Sequence, residues 1–331
     1  MKKIALVILG LGLLIFLLPE QRINLLSPLL PSTSWRTKPK PLLKYSFENL
    51  RSRQYPGSEI KLEKIIKKEA SYTSWLFSYQ SDGQRITGMA NIPVKSYKLP
   101  VILMLRGYAD DEIYFTGLGT RKAAGVFAEN GFITLAPDFL GFGGSDSSSK
   151  DILEARFYRP VEVLNLLASI KASSPSTALR TDSNRIGIWA HSNGGQIAIS
   201  VLEILPASRR IPTVLWAPVS RGFPESILDY LGELDDQGLK VKDAISDFSQ
   251  NYDVKDYSIT NFFNDITAPI QVHQGLADLL IKEEWTAGFV SGLGTAGKNV
   301  TYFKYPRNDH NLKQSWDLVV ARDVEFFKKN L

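Results

Sequence analysis

The chain has 331 residues, 44% of them hydrophobic and 22% charged, and this apolar content excludes global disorder. Its formal charge of +5 comes from Lys and Arg scattered among acids, so no basic stripe predicts a nucleic-acid partner. Cysteine is absent, which excludes thiol catalysis, thiolate metal sites and disulfides.

The N-terminus carries an uncharged apolar segment, Ile4–Leu18, directly after two lysines. As a helix it would extend about 22 Å, against about 30 Å for the bilayer core, the size of a signal-peptide core or a short anchor. The nearest small-x-small cleavage site, Ser32–Ser34, lies far downstream. We predict that residues 1–18 are an uncleaved anchor, with a cleaved signal as the alternative. The membrane is then a partner, and the remainder of the protein lies outside the cytoplasm.

Residues 19–57 are predicted to form an extended, proline-containing tether and a lead-in to the catalytic domain, because five prolines punctuate residues 19–41. A catalytic domain is predicted over residues 58–331. It opens with Lys61–Lys68, whose charges alternate with Ile and Leu as on a solvated strand or helix face. Two strands follow, joined by a turn at Ser81–Gly83.

From about residue 100 onward, strand and helix patterns alternate. Apolar runs such as "PVILMLRG", "FITLAPD", "RIGIWA" and "APIQVHQG" indicate buried strands, and helical spacing separates them. This alternation predicts an α/β fold with a doubly wound, mostly parallel sheet. Residues 221–266 interrupt it with amphipathic helical patterns that carry ten acidic and four basic residues. We interpret this insertion as a helical acidic lid, which would favour cationic substrates.

The stretch "RIGIWAHSNGGQIAIS" predicts a sharp strand-to-helix turn that raises Ser192 above the sheet. Strand and helix pack closely at such a turn, so small residues are needed two places before and two places after the serine. Ala190 and Gly194 meet that need. A serine hydroxyl is a weak nucleophile until a base takes its proton and donors hold the oxyanion.

Three histidines compete for the role of the base. His191 adjoins the serine, but consecutive side chains diverge in a tight turn, so we expect it to be a bystander. His273 lies inside a buried strand pattern, which favours a hydrogen-bonded core residue. His310, in the polar loop "YPRNDHNL" after the last strand, is therefore the candidate base.

The remaining parts of the site follow from the ends of the predicted strands. Asp278, just past a strand, is the candidate acid that orients His310, and Asp309 is its rival. The backbone N–H groups of Tyr108 and Asn193 are the candidate oxyanion donors. The supporting residues expected at the site are Gly107, whose small size lets the loop approach the serine, Arg106 as a nearby cation, and Asp138 as a local hydrogen-bonding group. No histidine pair has metal-ligand spacing, so neither metal nor cofactor is expected.

Six stretches, in order, resemble the catalytic domain of prolyl-oligopeptidase-type serine peptidases and the related dienelactone-hydrolase-like and acetyl-esterase-like hydrolases. They are "SYQSDGQRITGMANIP", "LRGYADD", "LAPDFLGFGGSD", "GIWAHSNGGQIA", "HQGLAD" and "YPRNDHNL". The resemblance covers residues 70–331 and implies an α/β-hydrolase fold. It also implies that Ser192 is acylated, that His310 acts as base and then acid, and that Asp278 supports His310.

One departure from that family bears on the substrate. Members that cleave oligopeptides carry a large N-terminal propeller, whereas only about 100 residues precede "LRGY" in this chain. A peptide or amide and a small ester therefore both remain expected substrates. The alternative from another class is a catalytically silent binding module on the same fold.

Overall fold

The computed structural model describes residues 39–94, 98–173, 179, 181–233, 236 and 238–331, without the side chain of residue 233. Pro41–Leu331 form one compact unit. The apolar segment Ile4–Leu18 lies outside the described residues, so the anchor stays a prediction. Among the described residues, no helix combines the length and apolar character needed to cross a bilayer.

In the described part of the chain, one nine-stranded sheet has the order β1-β2-β3-β5-β4-β6-β7-β8-β9. The strands from β5 to β9 in this order are parallel, and β1, β2 and β3 add antiparallel pairs at one edge. Their bounds are β1 Lys61–Lys68, β2 Tyr72–Ser81, β3 Gln84–Pro93, β4 Leu99–Leu105, β5 Ile133–Pro137, β6 Thr181–His191, β7 Thr213–Trp216, β8 Ile270–Gly275 and β9 Val300–Tyr305.

Helices cover both faces of this sheet. They are α1 Phe47–Ser52, α2 Arg121–Glu129, α3 Ile152–Phe157, α4 Arg159–Ala172, α5 Asn193–Ile204, α6 Glu225–Leu228, α7 Leu239–Asn251, α8 Glu283–Thr295 and α9 Trp316–Asn330. Successive strand residues point to opposite faces, so Leu103 and Leu105 of β4 pack with α4 and α5, whereas Ile102 and Met104 pack with α2 and α9. The predicted doubly wound, mostly parallel sheet is confirmed.

The segment before the sheet differs from the expected tether. Pro41–Tyr45 form a 3₁₀ helix and α1 follows, capped by the hydroxyl of Ser46. Their apolar residues are buried in the core cluster that also holds α4 and α5, namely Leu42, Tyr45, Phe47 and Leu50. Prolines at positions 39 and 41 favoured an extended chain, but burial of these side chains outweighs that local preference.

The insertion between β7 and β8 has the predicted helical content. It contains α6, α7 and the 3₁₀ turns Leu231–Glu233, Val254–Tyr257, Ile259–Asn261 and Phe263–Asp265. Residues 234, 235 and 237, which include one of its acids, lie outside the described residues. Its action as a lid stays a prediction. Near the other edge of the sheet, β2 and β3 form the expected hairpin, whose turn at Asp82 and Gly83 has positive φ at both residues.

Candidate active site

Ser192 occupies the turn between β6 and α5 with a backbone that non-glycine residues rarely adopt, φ 54° and ψ −123°. Its N–H donates to the carbonyl oxygen of Trp216 at 3.0 Å. Its own carbonyl oxygen accepts the N–H groups of Gly195 and Val219, both at 2.9 Å. Hydrogen bonds on both sides therefore hold this strained turn in place.

Small residues let the turn pack against the end of β4. A Cβ atom at Gly194 would lie 2.2 Å from the carbonyl oxygen of Leu105, so no larger residue fits without movement of the backbone. Ala190, fully buried in β6, pairs with Leu105 and accommodates its methyl group. A Cβ atom at Gly107 would lie 2.9 Å from the Cβ atom of Ser192, so the loop after β4 lies directly against the serine.

The structure brings His310 and Asp278 together. His310 Nδ1 donates to Asp278 Oδ2 at 2.8 Å, which fixes the imidazole tautomer and leaves Nε2 as an acceptor. The two groups come from loops that follow neighbouring parallel strands, β9 and β8. The side chain of Asp278 is fully buried, and that of His310 is 12% exposed.

Asp278 is held as a carboxylate. Burial by itself raises its pKa, but hydrogen bonds from His310 and from the N–H groups of Ile281 and Leu280 outweigh burial, so the pKa lies below its ordinary value. The side-chain amide of Gln274 donates to Oδ2 as well, at 3.3 Å. A carboxylate with this many donors is suited to stabilise an imidazolium at His310.

Asp309 does not contact the imidazole ring of His310. Its Oδ1 atom accepts the N–H groups of Asn311 and Lys313, both at 3.1 Å, and so shapes the turn that follows His310. A Cβ atom at Gly275 would lie 2.6 Å from the carbonyl oxygen of Asp309. Glycine at the end of β8 therefore allows the histidine loop to approach the strand that leads to Asp278.

His191 has a closer relation to the site than the sequence suggested. Its Nε2–H donates to the carbonyl oxygen of His310 at 3.0 Å, and the two rings are tilted with centroids 4.6 Å apart. Burial, reinforced by the neighbouring His310, lowers the pKa of His191 to about 4. The prediction that His191 is not the base stays a prediction, and the structure adds that His191 contacts the backbone of the histidine loop.

His273 lies fully buried in β8 within a polar network. Its Nδ1 atom is 2.7 Å from the hydroxyl of Tyr305, and its Nε2 atom is 2.9 Å from Asp323 Oδ1. Asp323 also accepts the indole N–H of Trp216 at 2.8 Å. The expected hydrogen-bonded core histidine is observed.

The two predicted oxyanion donors belong to the residue after Gly107, whose loop lies against Ser192, and to the residue after Ser192. Among the described residues, neither the N–H of Tyr108 nor that of Asn193 has a protein acceptor. Asn193 is the first residue of α5, where N–H groups point outward and the helix dipole favours negative charge. Both groups are thus available to a developing oxyanion.

Arg106 is buried behind this loop. Its guanidinium donates to the carbonyl oxygens of Gly107 at 2.9 Å and Asp138 at 3.0 Å, and it stacks on the ring of Phe142. The carboxylate of Asp138 accepts the hydroxyls of Thr87, Tyr114 and Thr116. Both residues therefore connect the loop after β4 to the Gly-rich turn after β5.

The hydroxyl of Ser192 makes no hydrogen bond with His310 within the described residues, although His191 links the two loops. A nucleophile–base contact of this kind often closes only with substrate bound. Over the same described ranges, no cluster of three or more His, Asp or Glu side chains could hold a metal ion. The described structure thus contains a serine in a strained turn and a His310–Asp278 pair on loops that follow strands of the same sheet.

A cavity of about 50 Å³ follows one face of α5, and Asn193, the residue after Ser192, is one of its lining residues. It has five aromatic lining residues, Tyr45, Phe47, Phe157, Phe223 and Tyr257. Two cations, Arg156 and Arg159, also line it, but no acid of the described insertion does. No motif in the sequence pointed to this cavity, because its walls come from five separate segments.

Neither a protein-family model nor a curated protein sequence matches this chain. Solved structures do match. Acetyl xylan esterase 1 from Thermoanaerobacterium has a TM-score of 0.58 and 15% identity, covering 87% of this chain and 94% of the esterase. S-formylglutathione hydrolase from Agrobacterium tumefaciens has a TM-score of 0.57 and 17% identity, covering 81% of this chain and 100% of that chain.

A peptidase is similar as well. Acylaminoacyl peptidase from Pyrococcus horikoshii has a TM-score of 0.59 and 18% identity, covering 80% of this chain but 42% of the peptidase. These matches share a topology at low sequence identity. The chain therefore has the α/β-hydrolase fold, as the resemblance in its motifs implied.

Proposed function

We propose that this chain is a serine hydrolase that cleaves a carboxylic ester through an acyl-enzyme on Ser192. The observation that carries the proposal is the buried His310–Asp278 hydrogen bond of 2.8 Å, on the same rim of the sheet as the strained turn at Ser192. Active sites on such sheets lie beyond the carboxyl ends of the strands, where all three residues are.

In the proposed mechanism, Nε2 of His310 takes the hydroxyl proton as the oxygen of Ser192 attacks the substrate carbonyl. The N–H groups of Tyr108 and Asn193 hold the oxyanion, and Asp278 stabilises the imidazolium. His310 then protonates the leaving alcohol, and the acyl-enzyme remains. Water, activated by the same imidazole, releases the acid and restores the serine.

An amide or peptide substrate, as in prolyl-oligopeptidase-type peptidases, is the second candidate, since the chemistry at the serine is shared. Ester cleavage is favoured because this chain matches a larger share of the esterase than of the peptidase. It spans 94% of the acetyl xylan esterase but only 42% of the acylaminoacyl peptidase. More than half of the acylaminoacyl peptidase therefore has no counterpart in the matched region.

Labelling with a fluorophosphonate tests the proposal against the alternative of a silent binding module. The protein should be labelled and Ser192→Ala should not, whereas equal labelling of both would refute the serine assignment. Hydrolysis of p-nitrophenyl butyrate and of an aminoacyl p-nitroanilide then separates the substrate classes. Turnover of the anilide alone would overturn the ester proposal in favour of the peptidase.

We also propose that the apolar segment Ile4–Leu18 tethers the enzyme to a membrane, with the hydrolase domain outside the cytoplasm. The full chain should sediment with membranes and resist extraction by high salt, and external protease should reach the domain in intact cells. A chain found in the soluble fraction at its full length would contradict the tether.

A further inference from the structure

The guanidinium of Arg156 forms no salt bridge with an acid among the described residues. Arg156 lies in α3 and lines the cavity that Asn193 also lines. Its Nη2 donates to Gln196 Oε1 and to the carbonyl oxygen of Ser226, both neutral acceptors. Among the described residues, no carboxylate lies within ion-pair distance of it, and neither Nε nor Nη1 donates to a protein acceptor.

The other cation of the cavity shows the contrast. Arg159 Nη1 lies 3.1 Å from Glu162 Oε1, whose side chain is fully buried, so its charge is compensated within the protein. The positive charge at Arg156 is left for another partner. Arg156 is only partly buried, so its Nε and Nη1 groups, which have no acceptor in the described part of the protein, stay accessible to a bound anion.

The position of Arg156 relates it to the reacting bond. Gln196, its hydrogen-bond partner, lies one turn after Ser192 on α5, roughly 6 Å along the helix axis. The amide of Gln196 donates to the hydroxyl of Ser226 at 2.9 Å, which fixes the side chain. An acyl group bound to Ser192 that enters the cavity past Asn193 therefore meets the guanidinium within a short chain length.

The cavity also limits what can enter. A volume of about 50 Å³ between aromatic walls leaves room for a small group only, and not for a sugar or a long lipid tail. Phe157 and Phe223 pack edge to face in these walls, and Arg156 and Arg159 supply the cationic groups among the lining residues. A guanidinium binds a carboxylate with two parallel N–H groups, which adds geometry to charge.

We propose that this cavity is an acyl pocket for esters whose short acyl chain ends in a carboxylate, with Arg156 as the residue that recognises it. The inference rests on the proposed ester hydrolysis and specifies its substrate class. Burial lowers the pKa of Arg156 to about 10, so it is charged at neutral pH. The preference for cationic substrates predicted from the acidic lid is a separate prediction, because the described acids of the insertion do not line this cavity.

The test compares ethyl hydrogen succinate with ethyl butyrate, two esters of similar acyl length that differ in the terminal carboxylate. Release of ethanol gives kcat/KM for each ester. The ratio of the two values should favour the succinate half-ester in the wild-type protein and fall at least tenfold in Arg156→Gln. Both kcat/KM values in a ratio are measured on the same preparation, so a smaller fraction of folded enzyme lowers both equally and leaves the ratio unchanged.

A matched control is Arg221→Gln, which removes a cation of the insertion that pairs with Asp229 and does not line the cavity. Its ratio should equal that of the wild type. An unchanged ratio in Arg156→Gln, or a wild-type protein that cleaves only the butyrate ester, would overturn the acyl-pocket inference and leave the hydrolase proposal intact. Cleavage of neither ester would overturn both.

Discussion

The Nε2 atom of His191 lies 3.0 Å from the carbonyl oxygen of His310, so a residue of the serine turn holds the loop of the candidate base. His191→Phe keeps a ring beside His310 but removes the donor. One hydrogen bond of about 1 kcal/mol fixes the loop, so we expect kcat for p-nitrophenyl butyrate to fall about fivefold with little change in KM.

His191→Gln is the control for this prediction, because its amide can donate to the same carbonyl oxygen. It should recover most of the lost kcat. If His191→Phe keeps the wild-type kcat, the hydrogen bond has no positioning role.

The pair of carboxylates beside His310 gives a second prediction. Asp278→Asn should lower kcat by about 10³-fold, because the amide cannot stabilise an imidazolium and disturbs the tautomer. Asp309→Asn should keep most of the activity, since its side-chain oxygen can still accept the N–H groups of Asn311 and Lys313. Steady-state kinetics on a p-nitrophenyl ester measures kcat for both variants. A larger loss of kcat in Asp309→Asn than in Asp278→Asn would make Asp309 the orienting acid.

The packing of the serine turn gives a third prediction. Gly194→Ala places a Cβ atom 2.2 Å from the carbonyl oxygen of Leu105, so the turn must shift and fluorophosphonate labelling should be lost. Ala190→Gly meets no such obstacle. It should retain labelling while the free energy of unfolding falls by about 1 kcal/mol, the cost of glycine inside a strand. Equal labelling of the two variants would contradict the close packing.

The pH dependence of stability follows from the pKa of His191, about 4 in the folded protein against 6.5 for an ordinary histidine. Between these values the unfolded chain binds a proton that the folded protein does not, so the free energy of unfolding decreases as the pH falls from 6.5 to 4. In His191→Gln this decrease should be smaller, by up to about 3 kcal/mol. Urea unfolding at both pH values measures it.

Glu162 provides a control of opposite sign. Burial raises its pKa to about 7, so the unfolded chain ionises first and stability falls as the pH rises from 4.5 to 7. Glu162→Gln removes this effect, so the free energy of unfolding should differ more between pH 6.5 and pH 4 in this variant than in the wild type. A change of the same sign in both variants would show that the pKa of His191 is not lowered as described.

Much of the fold could be predicted because its signals are local. Continuous apolar runs such as Val101–Leu105 indicate strands buried on both faces, and the turn around Ser192 has its small residues at fixed spacing. The juxtaposition of Asp278 and His310 followed from parallel strands, whose carboxyl ends share one rim. Their catalytic roles remain proposals.

Other features depend on contacts between distant segments, which no local pattern reveals. Leu42 and Phe47 lie among prolines, yet they join the core formed by helices more than 100 residues later. Arg156 belongs to no sequence motif. Its proposed role rests on its hydrogen bond to Gln196 and on the absence of a nearby acid among the described residues. His191 was judged by its neighbour in sequence, whereas its hydrogen-bond partner comes from the last loop.

The position of β9 at the edge of the sheet has a consequence for inactivation. Ser192 follows a central strand held by β4 and β7, but the loop of His310 follows a strand that, within the described ranges, pairs with β8 alone. Edge elements open locally at a lower free energy than the centre of a domain. Heat or denaturant should therefore detach the base before the nucleophile, and enzymatic inactivation would precede global unfolding. If β9 opens first, backbone amide hydrogens should exchange faster in Val300–Tyr305 than in Thr181–His191.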